Sequence, residues 1–262
     1  MNLSPHRVTT LVLDHARRVG RASAGFRSVG FGWTRPWLSY LGSPLLNRIQ
    51  RRGVLRFEGF DVRLGKGDLY TFANLFEDYP VSLIRRALAE VSLVLDLGAN
   101  VGAFSWLITH LSKAENLRPR IVALEPNSEN ASFLRAQPFA AALEIDEAAV
   151  GPTAGTGTLV PGENSVTDHV DYSGRSAGAT VPIRSLASLC DRPAFVKMDI
   201  EGGEREILRQ GLPEQVRHLF LEWHPLRGAG TLDPRTPADF VPGKWRHLSS
   251  DPYGSTTWYF QR

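Results

Sequence analysis

From Ser92 to Arg262 short apolar runs alternate with stretches of helical period, and this alternation restricts the fold more than any other feature. SLVLDLG (92–98) is a continuous apolar run, as expected of a strand covered on both faces. A helix is predicted over 102–113, a second strand at RIVALEP (120–126), and a helix over 128–136 capped by Asn127. ALEIDEAAV (142–150) reads as a third strand and AFVKMDI (194–200) as a fourth, with a helix over 203–210 stopped by Gly211. VRHLFLEWH (216–224) is a fifth strand, and WRHLSS with TTWYFQR suggests a closing hairpin. Repeated β-α-β units imply a mostly parallel sheet with helices on both faces.

Two regions fall outside this rhythm. Residues 151–180 are rich in Gly, Ser, Thr and Asn, with one short apolar stretch at Thr158–Val160, and read as an insertion covering a substrate pocket. Ahead of the core, VLRFEGFDVRL (54–64) and DLYTF (68–72) read as short antiparallel strands. PVSLIRRALAEV (80–91) reads as a helix beginning at proline. The expected organisation is therefore a basic arm over 1–53 and a domain over 54–262. Within that domain, 54–91 leads into a core at 92–262.

Charge separates the arm from the body. Residues 1–56 hold ten arginines and one acid, Asp14, whereas 57–262 hold 20 basic and 26 acidic residues. RVTTLVLDHARRV (7–19) predicts an amphipathic helix, 20–42 an irregular connector and 44–52 a second short basic helix. Such an arm packs on the body, is partly disordered, or binds an acidic surface, membrane or nucleic acid. The sequence has no apolar run long enough for a transmembrane helix and no secretory h-region. A single cysteine, Cys190, fits a reducing compartment, and a cytoplasmic location is expected.

The chemistry-bearing residues cluster at strand ends. Asp96-Leu97-Gly98-Ala99-Asn100-Val101-Gly102 closes the first core strand and opens a helix. Glycines there let a ligand approach the backbone, and helix N-terminal N–H groups lie free. The spacing is G-x-x-x-G with an acid before it, unlike the G-x-G-x-x-G of a dinucleotide site. Asp96 suits a ligand carrying a cation, such as the amino and sulfonium groups of S-adenosylmethionine (SAM). Glu125, with Pro126 beside it, closes the second strand, where a carboxylate can bind ribose hydroxyls.

The run Lys197-Met198-Asp199-Ile200-Glu201-Gly202-Gly203-Glu204 ends the fourth strand. Alternation sends Lys197 and Asp199 to one side. Glu204 falls in a helix's first turn, where an acid is favourable. Glu222-Trp223-His224-Pro225 ends the fifth strand, so His224 emerges at the same rim as a candidate base. Asp199, Glu201, Glu222 and His224 could hold a divalent cation, but no sequence-local ligand spacing supports one, and no metal is expected.

DLGANVGAFS (96–105), ALEPNSEN (123–130), EAAVG (147–151) and VKMDIEGGE (196–204) resemble the FkbM family of SAM-dependent methyltransferases. FEDYP (76–80) matches a family segment before the first core strand, so the resemblance covers roughly residues 75–225. It implies a class I, Rossmann-like, seven-stranded fold. It also implies methyl transfer to a hydroxyl of a sugar, glycan or other small molecule. Carried over by position, Asp96, Gly98, Asn100, Gly102, Glu125 and Pro126 line the SAM site, and Asp199 and Glu201 lie near the acceptor. The arginine-rich arm and the 151–180 insertion depart from the pattern.

Transfer from a sulfonium to an alcohol needs in-line positioning and a base. The candidates, in order, are His224, Asp199 and Glu201. Two alternatives stay open: a nucleic-acid ribose methyltransferase, and a protein that binds SAM without catalysis. The basic arm suggests the first; the acidic body and the lack of an aromatic-rich basic RNA motif oppose it, so no nucleic-acid partner is expected.

Overall fold

Leu93–Leu97 forms a strand (β3) with every residue buried, and it lies inside a seven-stranded sheet. The protein is known here from a computed structural model that describes residues 53–57, 59–64, 66–162, 168–173, 175–224, 235–250 and 255–262. The helices expected at 7–19 and 44–52, the connector between them, and Pro225 lie outside the described residues.

Parallel neighbours flank β3: Arg120–Leu124 (β4) with Glu144–Asp146 (β5) on one side, Ala194–Met198 (β10) with Val216–Trp223 (β11) on the other. The sheet closes with Thr256–Gln261 (β13), antiparallel to β11, and Lys244–Ser250 (β12), antiparallel to β13. The closing hairpin is therefore present. Leu93, Leu95 and Leu97 point to one face of the sheet and Val94 to the other. Burying each leucine contributes about 1.5–3 kcal/mol relative to exposure.

One face carries four helices: Asp68–Asp78 (α1), Val81–Glu90 (α2), Ala103–Ala114 (α3) and Ser128–Arg135 (α4). The other is thinner, with the short helices Leu186–Leu189 (α5) and Glu204–Arg209 (α6). Val81, Leu83, Ile84, Ala87 and Leu88 bury one stripe of α2 against the sheet. Asn127 caps α4 as expected, accepting the Glu129 and Asn130 N–H groups at 2.9 and 3.2 Å.

Three expectations need correction. The strand expected at DLYTF is the start of α1. Read over eleven residues, Phe72, Leu75 and Phe76 recur at helical spacing and are buried, and Phe72 stacks on Phe60 at 4.8 Å. Asp68, at the helix start, takes the Arg63 guanidinium and N–H, which ties α1 to the hairpin of Val54–Phe57 (β1) and Phe60–Arg63 (β2).

The third core strand is in fact two. It stops at Asp146 and resumes as Ala149–Gly151 (β6) in a different sheet. The segment 151–180 is more regular than its composition suggests. Gly155–Val160 (β7), His169–Asp171 (β8) and Ala179–Ser185 (β9) join β6 in a four-stranded sheet around Ala149, Leu159, Val181 and Ile183. Gly157 allows this packing, since a Cβ there would meet Val170 at 2.9 Å. Among the described residues no helix is long and apolar enough to cross a membrane. Cys190 is buried in the core, where desolvation pushes its thiol up to about 12.

Candidate active site

The C-terminal ends of β3, β4, β10 and β11 meet along one edge, the position where open α/β sheets bind ligands. Asp96 is wholly buried, and its Oδ2 accepts the Ser105 N–H at 3.1 Å and hydroxyl at 2.7 Å. It thereby anchors the first turn of α3, whose N–H groups have no helical partner. So placed, Asp96 shapes the loop above it and offers no exposed surface to a ligand.

Lys197, its register neighbour on β10, is buried too. Its ammonium donates to the Gly98 carbonyl at 2.6 Å and lies 3.4 Å from Asp96 Oδ1 and 3.5 Å from Asp199 Oδ2. Burial lowers the ammonium's pKa, but Asp199 and Asp96 reverse the effect and hold it above the usual lysine value. Lys197 and Ser105 stand in this candidate site, and the sequence reading gave neither of them a role. The signal was available for Lys197, since DLG and KMD end adjacent strands with opposite charges in register.

The loop glycines have a packing cause. Gly98 has φ +74°, and a Cβ there would lie 1.8 Å from the Asp199 carbonyl oxygen. Gly102 has φ +89°, and its Cβ would meet Leu134 at 2.4 Å. Both spaces are filled by the protein itself, not left open to a ligand. Between them Asn100 adopts φ +51°, uncommon for a side-chain-bearing residue.

Glu125 holds that strained turn. Its carboxylate accepts the Asn100 N–H at 2.7 Å with one oxygen and the Asn127 N–H at 3.0 Å with the other. Burial raises the carboxyl to about 7, although both N–H groups pull the other way. Pro126 is half-buried beside it. Asn100 Oδ1 is a buried acceptor without a hydrogen-bond donor among the described residues.

Across the Gly98–Asp199 contact lies a second cluster. Beyond β10 the chain turns through Glu201 at φ +58° and Gly202 at φ +118°. Glu204, fully buried at the head of α6, accepts the Gly202 N–H at 3.2 Å and meets His224 Nδ1 at 2.8 Å. His224 Nε2 then lies 3.6 Å from Glu222, 3.7 Å from Glu201 and 3.9 Å from Asp199. Burial disfavours the charged imidazole, but Glu204, Glu201 and Glu222 outweigh it and hold its pKa well above the ordinary value. Burial, with Asp199 nearby, lifts the Glu222 carboxyl to about 8.

Asp199, Glu201 and His224, named from sequence, are thus brought together, while Asp96 and Glu125 brace the neighbouring loop. Glu204 does more than favour a helix start, because it orients the histidine. Tyr79 packs on Phe104 and Phe220 below the cluster.

The small sheet leans over the same edge. Asp168 accepts from Asn127 Nδ2 at 2.6 Å and from the Gly162 N–H at 2.8 Å, linking the β7–β8 connection to the start of α4. Tyr172 donates to the Val150 carbonyl at 2.8 Å, and a Cβ on Gly203 would lie 2.4 Å from its hydroxyl. The insertion therefore touches both the Glu125 side and the His224 side.

Residues 96–241, more than half of the chain, match the model of the methyltransferase FkbM domain. Among solved structures, the methyltransferase FkbM from Methylobacillus flagellatus KT is 16% identical with a TM-score of 0.40. That match covers 84% of this chain and 59% of the Methylobacillus chain, so the present chain spans little more than half of that protein. A possible exported protein from Bordetella parapertussis is 11% identical with a TM-score of 0.34, over 100% of this chain and 99% of the other. No curated protein matches. Both superpositions are loose, and the assignment rests on the sequence match, which spans the Asp96 loop, Glu125 and the His224 cluster: the chain belongs to the FkbM methyltransferase family.

Proposed function

We propose that this chain is a class I methyltransferase that uses SAM to methylate a hydroxyl of a sugar, glycan or other small molecule. The supporting observation is two unlike sites side by side: a braced loop with an unsatisfied acceptor, and a histidine set among carboxylates. The loop residues fit the cofactor. Among the described residues Asn100 Oδ1 has no donor, and the Glu125 carboxylate stands at the strand end where a ribose diol is bound in Rossmann-like sites. When bound, SAM supplies a methyl group already activated by a positively charged sulfur.

The protein's task is then mostly positional. Asp96 and Lys197 hold the loop, and Glu125 fixes its turn. The His224 cluster offers acceptors for the proton that an alcohol gives up. The small sheet over the edge limits access of water and shapes acceptor choice.

The test is incubation with SAM carrying an isotopically labelled methyl, against glycosides and hydroxylated small molecules, followed by mass spectrometry of the products. Label on an acceptor oxygen, lost in His224→Gln, is the expected result. Label on nitrogen or carbon contradicts the hydroxyl assignment.

A further inference from the structure

Asp199, Glu201 and His224 come from two strand ends, yet one ligating atom of each lies within 4.8 Å of those of the other two. The histidine is only 8% exposed. With Nδ1 held by Glu204 at 2.8 Å, the opposite nitrogen points into the cluster. Nε2 stands 3.6, 3.7 and 3.9 Å from oxygens of Glu222, Glu201 and Asp199. All three separations exceed hydrogen-bond length. A buried nitrogen thus aims at three carboxylate oxygens without bonding any of them.

Donor atoms around one metal ion have this spacing. Metal–ligand bonds of about 2.0–2.2 Å put neighbouring and opposite donors about 3 to 4.4 Å apart. We propose that Asp199, Glu201 and His224 form a divalent-cation site, with Glu222 as a neighbouring third carboxylate.

The surroundings suit it. A ligating histidine commonly gives its other ring N–H to a carboxylate, which fixes tautomer and direction. Glu204, fully buried, stands in that place. Asp199 is steadied by Lys197 at 3.5 Å, and Glu222 accepts the Ser255 hydroxyl at 2.9 Å. Two or three carboxylates with one imidazole match Mn²⁺, Fe²⁺ or Zn²⁺ better than a thiolate-seeking ion. The site stands on these residues alone. Only its role rests on the methyltransferase reading, under which the ion is a Lewis acid for the acceptor hydroxyl.

The full chain, stripped with chelator and desalted, is titrated with Mn²⁺ while the free-ion signal is followed by electron paramagnetic resonance. One ion bound per chain is expected. Glu201→Gln and His224→Gln should each weaken binding about tenfold or more. Should His224→Gln fail to fold by circular dichroism, Glu201→Gln alone decides. S-adenosylhomocysteine binding is measured on the same metal-free sample, so the cofactor reading passes or fails separately. No Mn²⁺ uptake at millimolar concentration overturns the site, as does uptake unchanged in the folded variants.

Discussion

Replacing Lys197 by methionine tests how the two halves of the edge are joined. The substitution keeps a long apolar stem and removes the charge and its donors. It leaves the Gly98 carbonyl without its 2.6 Å partner and Asp96 Oδ1 without the cation at 3.4 Å. Both Lys197 and Asp96 have side chains at most 6% exposed, so solvent cannot compensate. Removing one member of a buried pair costs about 3–5 kcal/mol. The lost carbonyl contact overlaps with that figure and does not add to it. At about 2–4 °C per kcal/mol for a domain of this size, the melting temperature should fall by about 6–20 °C.

The assay is urea unfolding of Lys197→Met, Asp96→Asn and the double variant, followed by circular dichroism. The double variant should recover part of the loss, with a coupling of at least about 1 kcal/mol. The deficit should not vary across neutral pH. A lysine whose folded pKa is raised stabilises fully below the unfolded value, and that contribution is lost only as pH climbs through the folded one. A cost under about 1 kcal/mol, or single-variant costs that simply add, would refute the claim that this pair holds the loop.

Gly98→Ala should destabilise by at least about 2 kcal/mol, because a left-handed backbone and a contact with the Asp199 carbonyl act together. Gly155→Ala, where a Cβ meets nothing within 4 Å, is the control, and equal melting temperatures would count against the packing argument. Glu125→Gln should flatten the pH dependence of stability. With the folded carboxyl near 7, wild type loses up to about 3 kcal/mol as pH rises from the unfolded value through the folded one, and the variant should lack that slope. Asp168→Ala should speed hydrogen exchange at the Gly162 amide by removing a bond worth about 1.5–3 kcal/mol, while amides of β3 keep their protection.

Strands buried on both faces were legible because their apolar runs have no other use, as at Leu93–Leu97 and Val216–Trp223. DLYTF misled because five residues cannot separate alternation from helical period; the pattern emerges only with Leu75 and Phe76. The small sheet was hidden by its own requirements. Gly157, like Gly178 ahead of β9, sits where a Cβ would collide with a neighbour, so packing produced a loop-like composition. In the site, Asp199, Glu201 and His224 were readable because strand order brings their ends together. The burial of Asp96 and the bond from Glu204 to His224 were not, since each depends on a partner distant in sequence and on which way one side chain turns.

The central claim is that the Asp96–Gly102 loop and Glu125 hold SAM. Calorimetric titration of the purified chain with S-adenosylhomocysteine, with NAD as the control, tests it most directly. The account predicts saturable binding of S-adenosylhomocysteine alone, weakened by about 1–3 kcal/mol in Glu125→Ala. Binding of NAD instead, or S-adenosylhomocysteine affinity unchanged in a folded Glu125→Ala protein, would contradict it.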